Sequence, residues 1–198
     1  MADQFINFAK LKEEMTDGRD YRIVHEIPNS SLAAIVAPYG GKIEPHTSGL
    51  ARLIAGKNFA FYAFEGMLPS GNRRLHITSH NFDEPIALNL IAKVDVVLGI
   101  HGMQDRSDNV DVCLGGLDGK LIDHLSDELQ NIGINSLKSG HEFLATNRKN
   151  ICNRGRFTAG GQLELSSLIR NKLFHSGGKN RLATFVDSIR RAILSRLG

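Results

Sequence analysis

Val94-Asp95-Val96-Val97-Leu98-Gly99-Ile100 is a near-continuous apolar run that ends at His101-Gly102. A strand wetted on one face alternates apolar and polar residues, whereas a run of this kind fits a strand covered on both faces. The covering layers must then be helices, so the run predicts an α/β fold. Neighbouring segments agree. Residues 32–36 form a second apolar strand, entered through the turn Pro28-Asn29-Ser30 from an alternating strand at 21–27. Further strands are expected at 59–64, which is rich in aromatics, and at 110–114 and 162–165.

Helical spacing separates these strands. Phe5, Phe8 and Leu11 mark a first helix that stops near Asp17-Gly18, and Thr47 or Ser48 can cap a second that runs to Ala55 and ends at Gly56. Asp83-Glu84-Pro85 opens a third, with Ile86, Leu90 and Ile91 on one face. A fourth is expected at 117–132, and Leu182, Phe185, Ile189, Ile193 and Leu197 stripe a last one. Residues 65–72 read as a loop, 75–78 as an extended segment and 135–150 as a long loop over the site. The expected architecture is a mixed central β-sheet with helices on both faces, one domain over 1–198.

Composition bounds the partners. At 198 residues, 41% hydrophobic and 23% charged, the chain has the make-up of an ordinary soluble globular domain, and a monomer is expected. No apolar stretch is long enough to span a bilayer, so no membrane partner is expected. Met1-Ala2-Asp3-Gln4-Phe5 lacks a basic segment followed by an apolar one, and Cys113 and Cys152 are too few for a disulfide framework. Both features point to the cytoplasm. The net charge of +3 suits an acidic substrate. The excess gathers in Arg170, Lys172, Lys179, Arg181, Arg190, Arg191 and Arg196, which reads as the solvated face of the last helix.

Ligands of open α/β sheets collect beyond the carboxyl ends of the strands. Three of those ends carry chemistry. Ala37-Pro38-Tyr39-Gly40-Gly41-Lys42-Ile43-Glu44 bends at its glycine pair and holds a tyrosine where a first metal ligand is best placed. His101 follows the central strand, and Glu164 sits between Leu163 and Leu165 and so points to the opposite face from them. Glu44 and His101 supply an oxygen and a nitrogen suited to zinc, and Glu164 would act as general base toward a metal-bound water. Taken singly, each has a plainer reading: a helix cap, a turn histidine, half of a salt bridge. A second cluster, Ser70-Gly71-Asn72-Arg73-Arg74-Leu75-His76-Ile77-Thr78 with Asn153-Arg154-Gly155-Arg156, offers guanidinium forks for the carboxylates of a substrate.

These segments resemble the poly-γ-glutamate hydrolase family of phage and prophage origin, some members of which are labelled phage-related replication proteins. The resemblance runs collinearly through residues 37–48, 61–66, 70–79, 100–102, 115–118, 150–155 and 161–166. It implies a compact zinc-carboxypeptidase-like domain that cleaves γ-glutamyl amide linkages, with Glu44 and His101 as zinc ligands and Glu164 as catalytic base. It also implies an acidic polymer as substrate and release from the cell on host lysis. The family pattern Ala-Pro-His-Gly-Gly departs here at Tyr39, and a histidine absent from that pattern stands at His46. Three outcomes follow: Tyr39 binds zinc as a phenolate, His46 replaces the lost ligand, or zinc binding is weakened in a member that holds acidic polymer without cleaving it. A nucleic-acid-binding role is a lesser alternative that rests on the basic C-terminus and that family label alone.

Overall fold

The computed structural model describes residues 3–175 and 177–198. Among the described residues, seven strands form one mixed sheet in the order β1-β3-β2-β4-β7-β5-β6. The strands are β1 (Tyr21–Glu26), β2 (Ala33–Gly41), β3 (Ala60–Gly66), β4 (Val96–Gly102), β5 (Val112–Gly116), β6 (Ser136–Leu137) and β7 (Gly161–Leu165). β2 pairs in parallel with both β3 and β4, and β4 with β7, while β1 and β5 run antiparallel to β3 and β7. The expected α/β class with helices on both faces is the observed one.

Alternation along the central strands sorts the core into two layers. Ile35 and Ala37 of β2, Leu98 and Ile100 of β4, and Leu163 and Leu165 of β7 face one layer. That layer is closed by α2 (Thr47–Ala55), α4 (Gly119–Asn131), α5 (Ser167–Phe174) and α6 (Lys179–Leu197). Ala34, Val36, Tyr62, Phe64 and Val97 face the other, covered by α1 (Phe8–Glu14) and α3 (Pro85–Ile91). With both faces covered, β4 has no wet side, as the run 94–100 predicts.

Several local readings change. The first helix starts at Phe8 because the Asn7 side chain caps it, and Phe5 packs into the same core layer from outside the helix. Neither Thr47 nor Ser48 caps α2. His46 holds the cap position with a left-handed backbone, φ 76°, and Thr47 donates its hydroxyl back to the Glu44 carbonyl at 2.7 Å. Residues 72–75 form a short 3-10 helix that joins the expected end of the loop at 72 to the first residue of the expected extended segment at 75. α5, which sequence reading missed, is only eight residues long, and its Leu168 is exposed.

The basic C-terminus is less solvated than expected. Arg190 donates to the carbonyls of Ile54 and Ala55 and lies over the Phe59 ring, Arg191 pairs with Glu128, and Arg196 pairs with Asp118. These arginines tie α6 to its neighbours. No described helix is long and apolar enough to cross a membrane.

Leu98 is fully buried at the centre of the sheet. Leu98→Ala should lower unfolding free energy by roughly 2–5 kcal/mol, read from the urea midpoint at unchanged m-value. A loss below about 1 kcal/mol would contradict the packing described.

Candidate functional site

The carboxyl ends of β2, β4 and β7 open into a cavity of about 890 Å³, lined by Tyr39, Glu44, His101 and Glu164 among others. His101 and Glu164 are direct register partners on adjacent parallel strands, so their side chains leave the sheet side by side. Both point away from the layer that holds Ile100, Leu163 and Leu165, as alternation predicts.

Glu44 arrives from the turn after β2. Gly41 makes that turn with φ 63°, and a Cβ there would fall 2.6 Å from the Gly66 carbonyl oxygen. The Gly102 N–H then donates to Glu44 Oε2 at 2.7 Å, tying this turn to the end of β4.

Tyr39 lies on the same strand but is turned. The register between β2 and β3 shifts between Ala37 and Gly40, a bulge that includes Pro38, which has no N–H to give. Ala37 faces one core layer and Tyr39 the other, although residues two apart in a regular strand share a face. The phenol donates to the Ile77 carbonyl at 2.6 Å and lies 2.9 Å from Ser79 Oγ. With its proton committed to Ile77, it accepts from Ser79. Its ring lies tilted against His76 at 4.1 Å and meets His101 edge-on at 5.1 Å. Burial lifts its pKa well above the usual phenol value, so the hydroxyl stays protonated.

The remaining site candidates separate. Arg73 lines the cavity, whereas Arg74 reaches toward Met15 and Arg154 donates to the Phe82 carbonyl at 3.2 Å; neither lines it. Asn72 is buried and donates to the Leu68 carbonyl. His46 stacks on Phe174 at 4.7 Å, exposed and outside the cavity lining.

Three other residues stand here to which sequence reasoning gave no role in the site, His76 among them although it lies within the second cluster. His76 lines the cavity and its Nδ1 pairs with Asp3 at 2.6 Å. Gln162 donates to Glu164 Oε1 at 3.0 Å and orients that carboxyl. Arg170, grouped by sequence with the basic C-terminus, is 6% exposed and lines the cavity. The signal for Arg170 was available: Ser166-Ser167 after β7 reads as a helix start, and the first turn of such a helix lies at the strand ends.

Electrostatics follow from desolvation. Burial raises Glu44 to about 8 against the Gly102 N–H and the Arg170 and Arg73 guanidiniums, which favour its charged form. Burial, and then the charge of Glu44, push Glu164 well above the carboxylate range. Burial and the neighbouring His76 pull His101 down to about 3, so its imidazole is neutral. The 4.0 Å separation of His101 Nδ1 from Glu164 Oε1 is therefore proximity and not an ion pair.

A catalytic zinc takes three protein ligands and keeps a fourth position open. Glu44 and neutral His101 suit it, and His101 Nε2 is a buried atom without a hydrogen-bond partner. The third position does not fit. The Tyr39 hydroxyl is held by Ile77 and Ser79, and among the described residues no three His, Cys, Asp or Glu side chains are grouped to hold a metal.

The Glu44 shift carries a stability consequence for metal-free protein. Its folded pKa lies above the ordinary 4.5, so the contribution is full below that pH and is lost as pH rises through about 8. Glu44→Gln should gain on the native chain across that window, by an amount on the order of a few kcal/mol at its upper end. Thermal melts of both proteins at several pH values measure this, and a pH-independent difference would refute it.

Residues 5–189 match the family described as poly-gamma-glutamate hydrolase. The SPbeta prophage-derived protein YoqZ of Bacillus subtilis (strain 168) is 35% identical over 177 residues, 88% of this chain and 63% of that protein. This chain thus spans less than two thirds of that relative's length. The solved structure of a bacteriophage poly-gamma-glutamate hydrolase has a TM-score of 0.92 at 31% identity, covering 100% of this chain and 99% of the other. A zinc-free apo structure of YndL has a TM-score of 0.86 at 31% identity, over 97% and 98% of the two chains. The family match spans every cavity residue described above, and the chain belongs to the poly-gamma-glutamate hydrolase family.

Proposed function

We propose that this chain binds poly-γ-glutamate or a related acidic γ-linked polymer in the strand-end cavity, and that its cleavage of γ-glutamyl linkages is impaired. The observation that carries the reading is the Tyr39 hydroxyl, hydrogen-bonded to Ile77 and Ser79 where the family pattern has a zinc-binding histidine. The polymer part rests on family membership and on the cationic groups at the cavity. Arg73 presents an exposed guanidinium at its wall, a fork suited to pendant carboxylates, while Arg170 supplies positive potential beneath. Gln162 and Asn150, bonded to each other at 3.3 Å, add amide groups beside the two carboxyls that suit the amide of the polymer backbone.

A second reading is a zinc-dependent γ-glutamyl hydrolase with Glu164 as general base. It is favoured by the unpartnered Nε2 of His101, a neutral imidazole nitrogen of the kind that binds zinc. Zinc content and polymer cleavage separate the two readings.

The native chain should bind poly-γ-glutamate, while Tyr39→His should raise zinc affinity and cleavage together by more than roughly tenfold. Full zinc occupancy with brisk cleavage by the native chain would sink the impaired reading in favour of the second. Absence of polymer affinity in both proteins would sink both readings.

The two neighbouring arginines give a sharper check on the binding surface. Arg73→Ala should weaken polymer binding by roughly tenfold or more, as expected for loss of a hydrogen bond to a charged group worth about 1.5–3 kcal/mol. Arg74→Ala, off the cavity, should leave it unchanged. Equal losses in titration calorimetry would mean diffuse charge attraction rather than a site.

A further inference from the structure

Arg170 sits in the first turn of α5, six residues beyond Glu164, and its guanidinium lies under the strand ends. Nη1 donates to the Pro45 carbonyl at 2.7 Å, Nε to the Leu165 carbonyl at 3.2 Å, and Nη2 to the Met103 carbonyl and to Ser167 Oγ, each at 3.2 Å. Pro45 follows Glu44, Leu165 follows Glu164, and Met103 lies two residues beyond His101. One planar side chain therefore grips the backbone beside all three polar residues of the strand ends.

The guanidinium also rests on Gly102. A Cβ at that position would stand 2.7 Å from Arg170 Cζ and 2.9 Å from Nη2, so the absence of a side chain there admits the contact. The same Gly102 presents its N–H to Glu44 Oε2. All four partners of the guanidinium are neutral oxygens, and burying a cation without a directly bonded carboxylate is costly. The carboxyl groups that act on it are Glu44, Asp105 and Glu164, in that order, and two of the three belong to residues it frames.

We propose that Arg170 is the positioning residue of this site, locking the ends of β2, β4 and β7 into one frame so that Glu44, His101 and Glu164 face a bound γ-linked glutamate chain together. The ligand in this statement rests on the polymer-binding reading; the framing role does not. Lysine keeps the charge but lacks the planar fork that reaches three carbonyls from one position.

The test is amide hydrogen exchange by NMR on Arg170→Lys, with poly-γ-glutamate affinity measured alongside. Exchange at Gly102 and Met103 should quicken by about tenfold or more while Ile35 and Leu98, in mid-strand, keep their protection. Polymer affinity should fall by a similar factor. In Arg170→Ala, added guanidinium ion should restore protection and affinity where methylammonium does not.

Unchanged exchange at Gly102 and Met103 would overturn the proposal. So would equal acceleration at Ile35 and Leu98, which would mark Arg170 as a general stabiliser, and so would rescue by methylammonium. If Arg170→Ala does not fold, the exchange pattern of Arg170→Lys decides alone. If the native chain has no affinity for the polymer, the polymer-binding reading fails and the exchange pattern still decides the framing role.

Discussion

β2, β4 and β7 are covered by side chains on both faces, and this confines the ionisable groups His101 and Glu164 to strand ends. The amide of Gln162 is tolerated earlier in β7 because Asn150, Phe143 and Glu164 supply its partners. A polar group in mid-strand without such partners would lose water uncompensated, at a cost of about 1–3 kcal/mol even when uncharged. Past the last covered residue that cost falls, because the chain can turn and the cavity admits solvent. His101, Glu164 and the turn bearing Glu44 all stand at this boundary, and parallel pairing brings the boundary of each strand to the same edge. Parallel order thus does the work of assembly: residues far apart in the chain meet because their strands point one way.

Assembly at that edge has an electrostatic cost, and the cavity shows how it is met. Two carboxyls in a desolvated pocket cannot both ionise freely, and both are pushed toward their neutral forms. The Gly102 N–H, the Gln162 amide and the nearby Arg170 guanidinium each favour the charged form or fix its geometry. His101 adds no positive charge, since burial keeps it neutral. The pocket is therefore one in which a small change of cation or water content shifts the protonation of the carboxyls. A cavity of this kind suits an anionic ligand only where a guanidinium reaches it, and Arg73 is the exposed one on its wall.

What was legible in the sequence follows the same division. Apolar alternation and turn residues located six of the seven described strands and the side of the sheet that Glu164 faces, because burial imposes that pattern strand by strand; the two-residue β6, inside the stretch read as a loop, is too short to carry it. The Tyr39 side chain was harder to place, because a bulge reverses the face on which residues lie; Pro38 inside a strand pattern is the signal that marks one. Arg170 was misread because charge runs near a C-terminus usually mean a solvated face, and an eight-residue helix with an exposed Leu168 carries too little periodicity to stand out. Arg73 and Arg74 are adjacent and chemically alike, so composition cannot distinguish them; only the 3-10 helix sends one to the cavity and the other away.

Tyr39 anchors a network of its own. Its hydroxyl satisfies the Ile77 carbonyl, receives Ser79, and places its ring between His76 and His101. His76 in turn is held through Nδ1 by Asp3, which also accepts from Thr78, so the N-terminal segment is joined to the same wall. A histidine at position 39 would be shorter and would leave the Ile77 carbonyl to find another donor, at a cost of roughly 1–3 kcal/mol if it found none. That cost falls on the folded protein with or without a metal, so it would appear as lower stability of the histidine variant. The local network therefore opposes a histidine at position 39, and it does so through Ile77 and Ser79. Tyr39 is thus built into a packed wall through Ile77, Ser79 and His76, and that wall helps define what this cavity can hold.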